Sequence, residues 1–495
     1  MLGDSNDRKG DINYFTLPEA GNGIVISHKI AHSTLKEVME RQALRRQAWL
    51  KERPHYIKEA AINLEDASDF RKFRNQAQKI VSYMAKEFER KKSANEYRKE
   101  SISKTGVLDM GKIFSYKYNE DLFLRNTIRP DGKSHGLVML FDWSASMTYH
   151  LHDTMKQTLA LAWFCQKVNI PFEVYTFQNC FEKSRYDEEG RDLDYRAEVE
   201  KRNYTTWKPA KPGQAWFCSK GDVDEAGSGY DSFKLVNILS CRMNSKNFLD
   251  QSRMLFNMTK TYQMGRQYGT WSEYELTSTP LLEAFCGMNS VLPGFRKANK
   301  LDIVNLIVLT DGEGNGRFDG RRPESEDDKS RNIYLRGDWR LVDEQTKKVY
   351  SNKEIWDQMP NGRWYDATMQ EIMVLKLLKD RHNVNIIGMF IDGESRGRAL
   401  KHHTIEKFLG WKMRGADSKW TALRQMVRKN GVGVVSYTGY DEYYLIPVGT
   451  IMDKDSELEI EKDLTVGKMK NAFKKNLSQK VGNKALVNKM MELIA

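Results

Sequence analysis

The sequence has few cysteines and no long apolar run. Its 495 residues include five cysteines, which are scattered and form no Cys-x-x-Cys pair. This spacing argues against a disulfide framework or a structural zinc site, and a reducing cytoplasm is the simplest setting. Because a membrane helix needs about 18 or more consecutive apolar residues, we expect no membrane span. The N-terminal stretch MLGDSNDRKGDINYF also lacks the apolar core of a signal peptide.

Several catalytic signatures are absent as well. The sequence contains no G-x-x-x-x-G-K-[ST] and no H-E-x-x-H, so the chain is neither a P-loop ATPase nor a zincin peptidase by motif. His150 and His152 lie two apart on a predicted helix and therefore on different faces. His402 and His403 are adjacent, with Glu406 nearby. We interpret these histidines as structural or surface residues and assign no catalytic residue.

The composition is that of a folded protein with excess positive charge. Apolar residues make up 40% of the chain, charged residues 29%, and the formal net charge is +12. At roughly 100–200 residues per domain, the length predicts two to four structural units. The positive charge permits contact with nucleic acid or another acidic partner and establishes neither.

Three regions follow one another along the chain. Residues 1–132 are polar and mainly helical by pattern, most clearly between Ser33 and Lys99. Residues 133–450 alternate apolar strands with helical patterns. Residues 451–495 form a basic tail, with seven lysines and one acidic residue from Val466 onward, a balance of +6. The tail predicts amphipathic helices that dock on the domain, with binding to a partner as the alternative.

The middle region predicts an α/β fold with a doubly wound, mainly parallel sheet. Strands that alternate with helices imply parallel pairing through right-handed crossovers, and continuous apolar runs are typical of strands covered on both faces. The predicted strands are GLVMLFDW, PFEVYTF, LDIVNLIVLTDG, VNIIGMFID and GVGVVSY. The predicted helices lie at about 150–168, 279–288, 366–382 and 418–429.

Two long insertions, at about 179–272 and 313–364, interrupt this pattern. Loops of such length are usually functional or disordered. We expect the first insertion to contain a helix over residues 233–256. Both insertions mix aromatic residues with lysine and arginine, which favours packing or a protein interface, with stacking on nucleic-acid bases as the alternative.

Polar side chains follow the predicted strands at one edge of the sheet. Asp142, Ser144 and Ser146 form a D-x-S-x-S motif directly after the first strand, and Asp311 follows another strong strand. Thr279 lies in a T-S-T-P-L segment that opens a helix. Ligands of open parallel sheets bind at the carboxyl ends of the strands, and carboxylate and hydroxyl oxygens are the ligands that Mg²⁺ prefers. The sequence therefore predicts a metal site here.

Two other interpretations of the Asp311 segment stay open. Asp311–Gly316 resembles the start of an EF-hand loop, but Arg322 occupies the twelfth position, where calcium requires a bidentate carboxylate. A strand rather than a helix also precedes it. The second interpretation is a polar turn without a metal.

The order D-x-S-x-S, T-P-L, T-D-G resembles the metal-ion-dependent adhesion site of von Willebrand factor A (VWA) domains, over roughly residues 133–445. The resemblance implies that Ser144, Ser146 and Thr279 supply hydroxyl ligands to Mg²⁺ or Mn²⁺. Asp142 and Asp311 would hold the ion directly or through water. There are two departures: Ser278 stands where many of these domains have glycine, and Trp143 is bulky for the loop, so we expect it to narrow access to the ion.

The segments FKLVNILSCRMNSKNF and KYNEDLFLRNTIRPDGKSHGLVMLFDWSASM resemble more particularly the VWA subunit of cobalt chelatases and related tailed-phage proteins. This resemblance implies a non-catalytic, metal-dependent protein-binding subunit that works with an AAA+ ATPase of the MoxR or chelatase type. A client or partner protein would offer an acidic residue to the metal. Two alternatives are a chelatase-like subunit in tetrapyrrole metal insertion and a nucleic-acid-associated phage protein. The expected location is the cytoplasm, that of the host if a phage encodes the chain.

Overall fold

The computed structural model describes most of the middle region and parts of the flanks. The described residues are 13–21, 23–52, 67–99, 101–118, 123–128, 134–179, 181, 214–217, 233–263, 272–276, 278–311, 314, 318–321, 332–333, 339–357, 366–392, 417–430, 432–435 and 439–447. The predicted basic tail at 451–495 lies outside them, as do His402 and His403.

The α-helices in this part of the chain are α1 (His28–Glu52), α2 (Ala67–Lys99), α3 (Leu151–Lys167), α4 (Ser245–Gln263), α5 (Leu281–Asn299), α6 (Asn352–Asp357), α7 (Asp366–His382) and α8 (Asp417–Asn430). None of these described helices is both long and apolar enough to cross a membrane.

The strands are β1 (Asn13–Phe15), β2 (Val25–Ile26), β3 (Ser101–Leu108), β4 (Phe123–Ile128), β5 (His135–Asp142), β6 (Phe172–Gln178), β7 (Ala215–Phe217), β8 (Lys234–Ser240), β9 (Ile303–Thr310), β10 (Phe318–Arg321), β11 (Asn332–Ile333), β12 (Trp339–Val342), β13 (Val349–Ser351), β14 (Val384–Asp392), β15 (Gly433–Val435) and β16 (Glu442–Pro447).

An eight-stranded sheet forms the centre of the molecule, in the order β15-β16-β14-β9-β5-β6-β8-β2. Neighbouring strands are parallel except at β15/β16 and β6/β8. The predicted α/β class with a mainly parallel sheet is therefore confirmed. Outside the two insertions, the predicted strands and helices of the middle region are also present, and the predicted helix at 366–382 coincides with α7.

Helices cover both faces of this sheet. Along β5 the side chains alternate, as the two-residue period of a strand requires. Leu137, Met139 and Phe141 pack in the core that α1 to α4 cover, whereas Val138 and Leu140 pack in the core that α5 and α7 cover. The strand is buried on both faces, which explains its unbroken apolar sequence.

The predicted helix over residues 233–256 is wrong in its first half. Lys234–Ser240 is the strand β8, wholly buried and antiparallel to β6, and α4 begins only at Ser245. Asn244 marks the change, because its Oδ1 accepts a 2.8 Å hydrogen bond from the amide of Asn247 at the start of the helix. A strand of the central sheet thus lies in the range that the sequence assigned to the first insertion.

The N-terminal region is helical in α1 and α2, as expected, and it also joins the sheets. β2 pairs in parallel with β8 at one edge of the central sheet. β1 pairs in parallel with β12, which forms a small sheet with β13. Further small sheets are β3-β4 and β11-β10-β7. Residues of the N-terminal region therefore form part of the central sheet and of one smaller sheet.

Candidate metal centre

The candidate site lies at the carboxyl ends of two neighbouring strands. β5 and β9 run in parallel, with Phe141 opposite Leu309. Asp142 is the last residue of β5 and Asp311 follows the last residue of β9. The strand register therefore brings the two aspartates to the same edge of the sheet, as the sequence predicts.

Asp142 is fully buried and has one oxygen without a partner. Its Oδ2 accepts a 2.6 Å hydrogen bond from Thr310 Oγ1, whereas its Oδ1 makes no hydrogen bond to any described residue. Burial, and next the charge of Asp311, raise the pKa of Asp142 to about 7; Thr310 and the hydroxyl and amide of Ser144 oppose that rise. Among the described residues no positive charge offsets these two effects, so no ion pair stabilises the ionised form of Asp142.

The two serines link the Asp142 loop to Asp311. Ser144 and Ser146 are joined through their hydroxyl oxygens at 2.9 Å, and Ser146 Oγ donates a 2.7 Å hydrogen bond to Asp311 Oδ1. Ser144 has an extended backbone, and the chain then turns into a 3₁₀ helix, Ala145–Tyr149. This turn brings the hydroxyl oxygens of Ser144 and Ser146 together.

Thr279 stands apart from this group. It is buried and lies two residues before α5, but among the described residues no hydrogen bond connects its side chain to the two aspartates or the two serines. The neighbouring Ser278 Oγ accepts a 2.8 Å hydrogen bond from Asn179 Nδ2, just beyond β6. The structure therefore joins four of the five predicted ligands and places the fifth on an adjoining segment.

Trp143 is placed differently from our expectation. Its ring is fully buried, packs against Phe141, Tyr262 and Tyr274, and donates a 2.8 Å hydrogen bond through Nε1 to the carbonyl oxygen of Tyr274. The bulk of the side chain thus occupies the core beneath the loop and not the solvent side, where it would narrow access.

The donor set fits a hard divalent cation. Two carboxylates and two hydroxyls converge, one carboxylate oxygen lacks a partner, and such oxygens suit Mg²⁺ or Mn²⁺. Among the described residues, no three His, Cys, Asp or Glu side chains gather where they could hold a metal ion. Asp142 and Asp311 are two acids, so any ion here would depend on Ser144 and Ser146 for further oxygen ligands.

Three residues at this site were not foreseen. Thr310 adjoins Asp311 in the T-D-G segment, so its position before a predicted ligand was an available signal. Asn179 and Tyr274 reach the site from elements distant in sequence, and no local pattern marks them. The predicted structural role of the histidines holds for His152, which is buried against α4, with Nδ1 3.1 Å from Thr259 Oγ1.

Aromatic residues of the insertions fall mostly outside the described side chains. Trp339 is an exception, and it is buried in the core beside α5 and α7. Its amide donates a 3.2 Å hydrogen bond to Asn352 Oδ1. This residue therefore serves packing, the interpretation that the sequence favours.

Comparisons with known proteins give no family. No family model matches the sequence, and no curated protein matches it. Among solved structures, the open conformation of the pilus adhesin SpaC from Lactobacillus rhamnosus GG is 14% identical with a TM-score of 0.25, covering 53% of this chain and 24% of that chain. The human COPII-coat protein Sec24c is 8% identical with a TM-score of 0.21, covering 54% and 27%. The chain spans about a quarter of the length of either neighbour, and neither carries an argument about function.

Proposed function

We propose that this chain is a metal-dependent protein-binding subunit with a VWA-type adhesion site. The observation that carries the proposal is the unpartnered, buried Oδ1 of Asp142, at the start of the loop whose serines are hydrogen-bonded to each other and to Asp311. A buried polar atom without a partner is costly. A divalent cation would remove that cost and would offset the repulsion between Asp142 and Asp311.

The ligands of the cation would be Ser144, Ser146 and Asp142, with Asp311 acting directly or through a water molecule. Thr279 completes the set by resemblance to the adhesion site, as its segment adjoins the others. Bound Mg²⁺ would supply an open coordination position to a carboxylate from another protein, since Mg²⁺ keeps several exchangeable water ligands. Binding would then require both the ion and the partner's acidic residue.

The partner class comes from the resemblance to chelatase-type and MoxR-type systems, in which such a subunit accompanies an AAA+ ATPase. The net charge of +12 supports an acidic partner, because opposite charge steers association. In this proposal the chain is an adaptor that couples the ATPase to a client protein and performs no chemical step itself.

Isothermal titration calorimetry with MgCl₂ tests the metal site. The Asp142→Asn variant keeps the side-chain volume and loses the ionised ligand, so we expect measurable Mg²⁺ binding by the unaltered chain and none by the variant. Asp250→Asn is the matched control, because Asp250 is a partly exposed residue of α4 that lies 3.8 Å from Arg253. Equal Mg²⁺ binding by both variants would contradict the proposal.

A pull-down from native lysate tests the partner. Tagged protein in Mg²⁺, tagged protein in EDTA at equal ionic strength, and Asp142→Asn in Mg²⁺ form the three arms, with bound proteins identified by mass spectrometry. We expect an ATPase only in the first arm. Nucleic acid in all three arms, lost steeply with added salt, would favour charge-based binding instead.

A further inference from the structure

Tyr274 connects the candidate metal loop to the N-terminal helix. This fully buried residue donates a 3.0 Å hydrogen bond from its hydroxyl to the carbonyl oxygen of Ala31 in α1. Its own carbonyl oxygen accepts from Trp143 Nε1 at 2.8 Å and from Tyr262 OH at 2.7 Å. Trp143 stands between the candidate ligands Asp142 and Ser144, so a single residue touches both α1 and the ligand loop.

Glu273 makes a second connection from the same turn. Its carboxylate is buried and forms an ion pair with Arg41 of α1, whose side chain is about one-third exposed. The carbonyl oxygen of Glu273 accepts a 3.1 Å hydrogen bond from Gln178 Nε2, on the last residue of β6. This ion pair is partly buried, and the attraction between its opposite charges holds the turn of Glu273 against α1.

The turn that carries these contacts, Ser272–Tyr274, leads within a few residues to Ser278 and Thr279. Ser278 is held by Asn179, which follows Gln178 at the end of β6. The helix α1 is therefore tied to the turn before Thr279 and, through Trp143, to the loop of Asp142. These two segments carry the candidate ligands Thr279 and Asp142.

The buried face of α1 is well packed independently of these polar contacts. Ala31, Leu35 and Val38 recur at helical spacing and are buried in the core above the sheet. Loss of one hydrogen bond from Tyr274 would consequently loosen α1 without unfolding it. This separation makes the polar connections testable by conservative substitution.

We propose that Tyr274 and Arg41 are positioning residues through which the docking of α1 and metal binding are coupled. The inference rests on the proposed function, since it requires an ion at the site. In this proposal an ion bound at Asp142 restricts the motion of the loop that contains Trp143. Through the hydrogen bonds of Tyr274 to Trp143 and to Ala31, it also restricts the motion of α1. Coupling between two sites is reciprocal: the ion tightens α1, and a docked α1 raises the affinity for the ion.

Amide hydrogen exchange of the full chain, with and without Mg²⁺, measures this coupling directly. We expect Mg²⁺ to slow exchange about fivefold over residues 28–44, the lower range of typical coupling. In Tyr274→Phe, which loses only the hydroxyl, we expect the slowing to vanish and the Mg²⁺ dissociation constant from calorimetry to rise about fivefold. Arg41→Gln should act in the same direction.

Tyr350→Phe is the matched control, because Tyr350 OH donates a 2.8 Å hydrogen bond to Asp380 Oδ2 on the other side of the sheet. A purely structural role for Tyr274 would lower stability as this control does and leave the Mg²⁺-induced slowing intact. Asp142→Asn should abolish the slowing. That result would show that Mg²⁺ slows amide exchange by binding at the proposed site.

The outcomes separate the two proposals. If the unaltered chain binds Mg²⁺ but exchange over residues 28–44 is unchanged and Tyr274→Phe binds equally well, the coupling is refuted and the metal site stands. If the unaltered chain binds no Mg²⁺, the proposed function fails and the coupling fails with it.

Discussion

Thr310 Oγ1 donates a 2.6 Å hydrogen bond to Oδ2 of Asp142, between the last residues of two neighbouring parallel strands. The bond fixes the direction of the carboxylate and leaves Oδ1 as the oxygen without a partner. Replacing a residue that orients a ligand in this way typically lowers metal affinity by about 10–100-fold.

Replacing Thr310 should therefore weaken Mg²⁺ binding. Thr310→Val keeps the shape of the side chain and removes the hydroxyl, so we expect the dissociation constant for Mg²⁺ to rise about tenfold. Thr310→Ser retains the donor and should bind nearly as the unaltered chain does. Calorimetric titration distinguishes the three proteins, and equal affinities for all of them would show that Thr310 does not orient the ligand.

His152 is a buried, neutral imidazole between α3 and α4. Its Nδ1 lies 3.1 Å from Thr259 Oγ1, which also donates a hydrogen bond to a backbone carbonyl of α4. Burial, and then the charges of Lys156 and Lys260, lower the pKa of His152 to about 3. The folded chain consequently resists protonation of a group that protonates freely when unfolded.

Acid should destabilise the protein through this residue. The pKa of His152 in the folded chain lies below the unfolded value of 6.5. The contribution of neutral His152 to the free energy of unfolding is therefore complete above about pH 6.5 and is lost as the pH falls toward 3. Between pH 7.5 and pH 5 the free energy of unfolding should fall by about 2 kcal/mol through His152. Urea unfolding of His152→Gln at both pH values should show a correspondingly smaller decline, and parallel declines in both proteins would reject this origin.

Gly388 lies in β14 where two tyrosine rings leave no room for a side chain. Tyr440 and Tyr443 stack with ring centroids 5.0 Å apart. A Cβ at Gly388 would overlap the Tyr443 ring and approach Tyr440 Cε1 to 2.9 Å. The absence of a side chain at Gly388 therefore allows these rings to pack closely against the strand.

Gly388→Ala should destabilise the fold by about 1–3 kcal/mol, the usual cost of overpacking. Gly294→Ala is the control, because a Cβ at Gly294 in α5 meets no atom within 4 Å. Alanine there should be stabilising by about 0.5–1 kcal/mol, given its greater helix propensity. Urea denaturation gives both values, and equal effects of the two substitutions would refute the packing argument.

The sequence predicted those elements whose apolar runs end at a clear boundary. Val384–Asp392 is flanked by a polar helix end at His382, and it was predicted to the residue. The first strand was equally clear in the sequence, since its apolar run stops at Asp142. For these elements local pattern and tertiary burial agree, which is why pattern alone sufficed.

The Lys234–Ser240 strand was mistaken for a helix because its pattern is ambiguous. Leu235, Val236, Ile238 and Leu239 fit helical spacing as well as a strand buried on both faces. No glycine or proline separates the strand from the helix that begins at Ser245. Its antiparallel pairing with β6 arises from contacts distant in sequence, and local pattern does not contain that information.

The candidate ligands were predictable because four of them directly follow strands or lie in one short loop. Their supporting residues were not, since Tyr274 lies 131 positions from Trp143 and 243 from Ala31. Only the folded arrangement reveals which carbonyl a buried indole or phenol will meet. The candidate ligands could thus be predicted from their positions next to strands, whereas the residues that contact and position them could be identified only in the three-dimensional structure.

The pairing of β2 with β8 has a practical consequence for recombinant production. A chain shortened to begin at residue 133 would leave β8 with an unprotected edge and would uncover the apolar surface that Leu35 and Val38 cover. Exposed strand edges and apolar patches promote aggregation. A fragment intended for crystallisation or binding assays should therefore start ahead of Val25.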